Sequence, residues 1–375
     1  MYDVEHLVGE PLLLEPLRRA VFDDATPRFL RSAKIKLTAR CNLRCVMCKY
    51  GRGLSLPEIG TDRCLRVLDE LAVLGCRKVH FSGGEVMVRP DLEAIVAHAA
   101  HLEMKVTLTS NLTLLSRARA RTLLRSKLSS VSTSLDGATA KVHDRIRGIS
   151  GSFKRTIQGM HHFAEAKARR GRRTRLRVNF VMMRANYETY PDVIRLAAKC
   201  GATEVHPMPV DVKQVGRFAL SKRMIRHYNE AIAPAVRDAR VSCGFSTENS
   251  FVYPFGRTSL AVLESSFQRY AGGYYKEHLC YAPYLHLFIA WDGLVYLCCM
   301  TNGRIEPLGD LKRQSLREVF EGDSFQNIRR QMKHERLDAC HRCDMFLAEN
   351  QQIERALGAS PVISGAESSA ADSGP

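Results

Sequence analysis

From Lys34 onward the chain alternates short β-prone runs with amphipathic stretches, six times in succession. No other feature restricts the fold as much. KIKLTA (34–39), KVHFS (78–82), MKVTLTSN (104–111), SSVSTSLD (129–136), RLRVNFVMM (175–183) and TEVHPMPV (203–210) read as strands. Helices are expected over 61–74, where Leu65, Leu68, Leu71 and Leu74 recur at helical spacing, and over 91–101, 116–126, 152–170, 190–199 and 222–237. Six strand–helix units predict an α/β fold with a parallel sheet and helices outside, either doubly wound or an incomplete barrel. The active site belongs in the strand-to-helix loops at the C-terminal ends of the strands.

After about residue 238 the rhythm gives way to short strands (LHLFIAW, LVYLCCM), a helix at 315–333 and a cysteine pair, which read as a second, smaller domain. The expected division is an N-terminal extension over 1–31, a barrel over 32–237, a second domain over 238–357 and a disordered tail over 358–375. The tail, GASPVISGAESSAADSGP, is small and polar with no core-forming pattern. MYDVEHLVGE does not read as a signal peptide, and no apolar run approaches the roughly 18 residues a bilayer span needs. A cytoplasmic protein with reduced thiols is expected. Its twelve cysteines then point to metal binding or chemistry rather than to a disulfide framework.

Three of them, Cys41, Cys45 and Cys48, lie in CNLRCVMC immediately after the first strand. Thiolates at C-x3-C-x2-C spacing can hold three irons of a 4Fe–4S cluster, leaving the fourth iron for a substrate or cofactor. The alternative is zinc, which favours paired C-x2-C knuckles and a fourth protein ligand. With this triplet the sequence resembles the radical S-adenosylmethionine (SAM) superfamily, whose hallmark it is, at the end of the first strand of a partial (β/α)6 TIM barrel. FSGGEV (81–86) is similar to the family's glycine-rich segment, which implies that the backbone at Gly83, Gly84 and Glu85 receives the SAM amino group. Val86 stands where the family usually has proline. Asn111 matches the polar tip of the third strand, and Ser134 and Arg147, in STSLDGATAKVHDRIRG, match a pair that contacts SAM, the arginine through the SAM carboxylate. Met47 sits where the family packs a side chain on the adenine; plain loop packing is the other reading.

Cys280, Cys298, Cys340 and Cys343 form a second set, embedded in CYAPYLHLFIAWDGLVYLCC and later in a GDL–helix–CxxC order. This looks like the auxiliary-cluster module of the SPASM/twitch subfamily, a small C-terminal domain with a short β-hairpin and a helix. Asp292-Gly293 is also a hairpin signal on chemical grounds. Four thiolates suffice for one fully coordinated 4Fe–4S cluster, and a four-cysteine zinc ribbon is the alternative. Cys298 and Cys299 are adjacent; Cys298 is chosen as ligand because neighbours on a strand point to opposite sides. Cys64, Cys76 and Cys200 read as core residues. Cys243, at the junction of the two domains, is either a structural cysteine or a hydrogen-atom donor to a substrate radical.

The resemblance implies SAM and two 4Fe–4S clusters as cofactors, a flavodoxin- or ferredoxin-type electron donor, and a 5′-deoxyadenosyl radical that abstracts a substrate hydrogen. The expected reaction is oxidation or epimerisation at a carbinol carbon of a small amino sugar or aminocyclitol, by analogy with aminoglycoside-pathway enzymes. His80, Asn179, His206 and Asp211 are candidate pocket residues at strand tips. One alternative is a peptide- or protein-modifying radical SAM maturase, against which stand the shortness of 1–31 for a leader-peptide recognition domain and the expected lack of a second auxiliary cluster, since no cysteine follows Cys343. Another, from a different class, is a zinc-stabilised nucleic-acid-binding protein, suggested by a formal charge of +17. The placement of that charge argues against it. Between Arg117 and Arg177 stand 17 Lys/Arg against three acids, mostly on the outer helices and in RRGRRTR (169–175). Those positions lie away from the active-site end, where only Arg145 and Arg147 are expected.

Overall fold

The computed structural model describes residues 2, 4–50, 57–169, 174–211, 215–343 and 347–358. Six parallel strands follow the predicted runs closely: β1 (Ser32–Thr38), β2 (Lys78–Gly83), β3 (Lys105–Thr109), β4 (Ser130–Ser134), β5 (Arg175–Met182) and β6 (Glu204–Pro209). Three more come from the C-terminal third, β7 (His286–Ile289), β8 (Leu294–Tyr296) and β9 (Gly309–Asp310). All nine form one sheet in the order β6-β5-β4-β3-β2-β1-β7-β8-β9. The C-terminal module therefore does not stand apart. β7 pairs in parallel with β1, Ser32 beside His286 and Ile35 beside Ile289, and β8 and β9 continue antiparallel. The β7–β8 turn is the expected Asp292-Gly293 hairpin, with Gly293 at φ 88°.

Strand alternation sorts the sheet into two chemically different faces. Ile35, Leu37, Val79, Phe81, Val106, Leu108, Val131, Leu176, Val178 and Phe180 are all at most 2% exposed and belong to the main hydrophobic core with the outer helices. At roughly 1.5–3 kcal/mol per buried large apolar side chain, this layer drives the fold. The opposite, inner face carries Lys34, Lys36, His80, Thr107, Thr109, Ser132, Ser134, Arg177, Asn179, Glu204 and His206, aligned across the strands by the pairing register. Such a row of polar groups suits a ligand and does not make a core.

Several elements depart from expectation. The residues before β1 form helices Val4–Gly9 and Pro11–Phe22, which bury Leu7, Leu17, Ala20 and Val21. A helix at Ala140–Arg147 was not predicted. The helix expected at 315–333 is two, Leu316–Glu321 behind a Ser315/Glu318 capping box and Asp323–His334, separated by Gly322 in extended conformation. The last barrel helix runs from Lys222 to Ser242 through a π-turn at Tyr228–Ile232, where Pro234 can supply no amide hydrogen. Most of RRGRRTR and the tail after Gly358 lie outside the described residues. Among those described, no helix is long and apolar enough to cross a membrane.

Candidate active site

The three-cysteine loop is fixed where several strand-to-helix loops converge. At the end of β1, the Glu58 carboxylate accepts from Thr38 Oγ1 (2.5 Å) and Ala39 N (2.9 Å). From the β2 loop, Gly84 N donates to Thr38 O and Glu85 N to Arg40 O, both at 2.8 Å. From the β3 loop, Asn111 Nδ2 donates to Asn42 Oδ1 (2.9 Å), and Asn42 Nδ2 donates to Thr113 Oγ1 (2.7 Å). From the helix Ala140–Arg147, the carbonyls of Arg147 and Ile146 accept from Arg44 N and Val46 N.

This geometry changes the reading of the glycines. A Cβ on Gly83 would lie 2.4 Å from Thr38 O, and one on Gly84 2.2 Å from Arg40 O. The small residues admit the chain's own cysteine loop, whatever else they admit. Gly148 is the most constrained, with φ 72° and a hypothetical Cβ 2.2 Å from Arg44 O. Gly148→Ala is therefore expected to displace the Arg44–Val46 backbone and reduce iron loading of the first cysteine set several-fold, read by iron analysis of anaerobically purified protein. Normal loading would show that the loop accommodates the methyl group.

The thiols sit among donors. Leu43 N donates to Cys41 Sγ and Tyr50 N to Cys48 Sγ, both at 3.4 Å, and Arg147 Nη1 donates to Cys45 Sγ at 3.6 Å. Burial pushes the Cys41 thiol up to about 11, and Cys45 upward despite Arg147, so a metal has to displace their protons. Arg147 is itself buried, with Nη2 2.6 Å from Asp136 Oδ2 in an ion pair, while its Nε has no hydrogen-bond partner among the described residues. Asp136 is fully buried and accepts from Val181 N at 2.9 Å.

Most of the expected SAM contacts have partners within the chain. The Arg147 guanidinium faces Asp136 and Cys45, with its Nε free of hydrogen-bond partners among the described residues. Glu85 spends its carboxylate on Ser110 Oγ, Met87 N and Asn111 N, so only its backbone faces outward chemistry. Asn111 is tied to Asn42 and Thr113. Met47 packs beside an apolar cluster of Ile146, Met183, Val210 and Ala219. Ser134 stays on the inner face, opposite Asn179.

Among the pocket candidates, His80 bonds through its two ring nitrogens to Thr107 Oγ1 (2.9 Å) and Thr109 Oγ1 (3.1 Å), and burial with nearby Lys34 holds it neutral. His206 lies 3.1 Å from Glu204 Oε2 and edge-on to Phe251. Asp211 bridges the β6 exit to the C-terminal module, 2.7 Å from Arg304 Nη2 and 4.0 Å from Arg342 Nη1, so it clamps the two parts together and is not a pocket group. Cys243 follows the helix Ala233–Ser242, which returns to the N-terminal ends of the strands. One turn earlier, Arg240 Nη1 donates to Val205 O near the start of β6. The thiol is thus at the end of the sheet opposite Cys41–Cys48, and a hydrogen-donor role does not fit it. Cys243→Ala is expected to leave SAM cleavage and product distribution unchanged, as product analysis by mass spectrometry would show.

The second set converges. Cys280, Cys298, Cys340 and Cys343 line one cavity walled by Pro283, Leu297, Met300 and Met332. Asn350 Nδ2 donates to Cys280 Sγ at 3.6 Å. Cys299 faces the other way, against the apolar cluster of Tyr50, Trp291 and Tyr296 on which Cys41 and Cys48 also pack. Arg336 stands near Cys340 and Cys280, its Nη1 and Nη2 buried without hydrogen-bond partners among the described residues. Each cysteine set thus has a buried arginine with unsatisfied donors beside it. Arg147 is already paired with Asp136, but Arg336 is not paired among the described residues, and an uncompensated buried cation is costly; a thiolate-bound iron–sulfur cluster, which is anionic, is the kind of group that satisfies it. Sequence reading missed Asp136, Glu58 and Arg336, whose roles depend on partners distant along the chain.

A polar inner sheet face beneath a three-cysteine loop, with a second cysteine set carried on the same sheet, defines an iron–sulfur enzyme on a partial barrel. Residues 35–197 match the family model of the radical SAM superfamily, and residues 280–344 match that of the SPASM iron–sulfur cluster-binding domain. The chain belongs to the radical SAM superfamily and carries a SPASM domain, so SAM and iron–sulfur clusters are its cofactors. It is 33% identical over 173 residues to the AdoMet-dependent heme synthase of Methanosarcina barkeri (46% of this chain, 48% of that protein). It is 37% identical over 165 residues to the PqqA peptide cyclase of Rhodopseudomonas palustris (44% and 42%). The chain thus spans about half the length of the curated relatives it matches. Among solved structures, Streptococcus suis SuiB bound to its precursor peptide SuiA shares the fold at a TM-score of 0.61, 16% identity, and 84% and 71% coverage of the two chains.

Proposed function

We propose that this protein is a peptide-modifying radical SAM enzyme that oxidises its substrate through hydrogen-atom abstraction. The reading rests on the single sheet that carries both cysteine sets through the β1–β7 pairing, together with relatives that include a PqqA peptide cyclase and a mycofactocin maturase. It replaces the amino-sugar oxidation or epimerisation expected from the sequence, which these relatives do not support. The similarity to heme synthases favours, as a second reading, a large non-peptide substrate.

In this proposal Cys41, Cys45 and Cys48 hold the first 4Fe–4S cluster, and Cys280, Cys298, Cys340 and Cys343 the second. Reduced, with SAM bound, the first supplies the 5′-deoxyadenosyl radical. Arg336 offsets charge at the second thiolate set, and Arg147, paired with Asp136, donates to Cys45 of the first. The backbone at Gly83–Glu85 and the Ser134 hydroxyl are the polar groups left for SAM; Asn179 and His206 present polar groups to the substrate. The second set has no open position, which suits it to taking up an electron from the substrate. A flavodoxin- or ferredoxin-type protein is the proposed reductant.

The test is anaerobic incubation with SAM, dithionite and synthetic peptides encoded beside the gene. Peptide-dependent 5′-deoxyadenosine and a modified peptide mass are expected; stimulation by amino sugars alone would contradict the reading. The ligand assignment is checked separately. Cys298→Ala is expected to lose about four irons per chain, one cluster's worth, while Cys299→Ala keeps them all.

A further inference from the structure

A cavity of about 890 Å³ lies between the segments that leave β5 and β6 and the turn bearing Cys340 and Cys343. Its size falls in the range of ligand clefts, roughly 300–1,000 Å³, and it accommodates a segment of chain better than a folded surface. The lining is cationic. Arg184 comes from the β5 exit, Lys222 from beyond β6, Arg269 from the loop before the helix Tyr274–Glu277, Lys276 from that helix, and Arg342 from between the two cysteines. Against these stand Glu264, paired with Arg269 at 3.4 Å, and Asp338. Arg184 Nε donates to a carbonyl, that of Ala219 at 2.6 Å. Lys222 and Lys276 are exposed, and neither has a carboxylate partner among the described residues. Phe267, 56% exposed, adds an apolar surface to the lining.

The position ties this cavity to the active site. Ala219, in its wall, packs in the apolar cluster against which Val46 and Met47 of the cysteine loop lie. Arg342, in the opposite wall, belongs to the turn of the second cysteine set.

We propose that this cavity binds an acidic peptide segment, the part of the substrate peptide that flanks the residue to be modified. The assignment rests on the peptide-modifying reading and gives its substrate a charge. Opposite charges focused in a concave site steer and hold such a segment, and added salt weakens the attraction because the Debye length shortens.

The test uses the full-length protein and two fluorescein-labelled probes, an alternating Glu-Gly octapeptide and its Lys-Gly counterpart, followed by fluorescence anisotropy at low and high salt. The acidic probe is expected to bind and the basic one not, with affinity falling as salt rises. Lys222→Glu with Lys276→Glu should weaken binding at least tenfold, and the milder Lys222→Gln with Lys276→Gln to a smaller extent. Arg121→Glu with Arg125→Glu, exposed on the outer helix Arg117–Arg125, should leave it unchanged. Equal binding of both probes, equal loss in the outer-helix control, or no binding at low salt would overturn the proposal. Probe binding without turnover of any peptide would sink the maturase reading and leave the cavity assignment standing. Peptide turnover indifferent to charge reversal at Lys222 and Lys276 would do the opposite.

Discussion

Replacing Cys41, Cys45 or Cys48 by alanine is expected to abolish 5′-deoxyadenosine formation while the protein remains folded. The loss follows from the donor set. Three thiolates are the minimum that leaves one iron open, so a chain with two has no defined open site for SAM. The fold is spared because the loop is held by other groups: Glu58 on Thr38 and Ala39, Asn111 on Asn42, and the Arg147 and Ile146 carbonyls on Arg44 and Val46. Cys41 and Cys48 are only partly buried, so truncation there opens little cavity. Iron per chain should fall by about four, with the second set still loaded, and circular dichroism should be unchanged. Residual SAM cleavage above a few per cent of wild type would contradict the role given to these thiols.

Arg147→Met is expected to be the most damaging single change outside the cysteines. It removes the positive partner of Asp136, which is fully buried, and breaking a buried ion pair by deleting one member costs about 3–5 kcal/mol. The pH dependence has a definite sign. Burial already raises the Asp136 carboxyl above its usual range while Arg147 pulls it down. In the variant that pull is gone, and the folded state holds the proton more tightly than the unfolded chain. An acid whose folded pKa is raised contributes stability that returns as pH falls through that value. The deficit against wild type should therefore be largest at neutral pH and shrink on acidification, as urea titrations at two pH values would show. A deficit that grows in acid would rule out an uncompensated Asp136 carboxylate as its cause. Arg147→Lys should recover part of the stability but not the donor to Cys45, because an ammonium cannot serve both partners with the reach of a planar fork.

What was legible in the sequence was what short-range pattern controls. RLRVNFVM alternates cleanly and is β5; the leucines of Thr61–Val73 mark one helical face. The cysteine sets were legible because thiols at fixed spacing carry few other meanings. The helix Ala140–Arg147 was missed because two turns offer too little periodicity, and it matters because its last carbonyls hold the cysteine loop. The β1–β7 pairing joins residues some 250 positions apart and has no local signature. Arg147 and Glu85 show the same gap at the level of the site. Their residue types were noticed, but their partners Asp136, Ser110 and Asn111 are set by tertiary contacts. The charge is a mixed case. Arg117 and Arg119 sit on an outer helix as expected, paired with Glu165 and Glu93, while Arg184, Lys222 and Arg342 gather at the active-site end from segments that looked unremarkable alone.

The most direct test of the whole account is iron and sulfide quantitation with EPR on anaerobically purified protein, alongside a variant lacking the first cysteine set and one lacking the second. The account predicts about eight irons in the wild type and about four in each variant, with SAM cleavage surviving only where Cys41, Cys45 and Cys48 remain. A wild type holding about four irons, or SAM cleavage that persists without the first set, would contradict it.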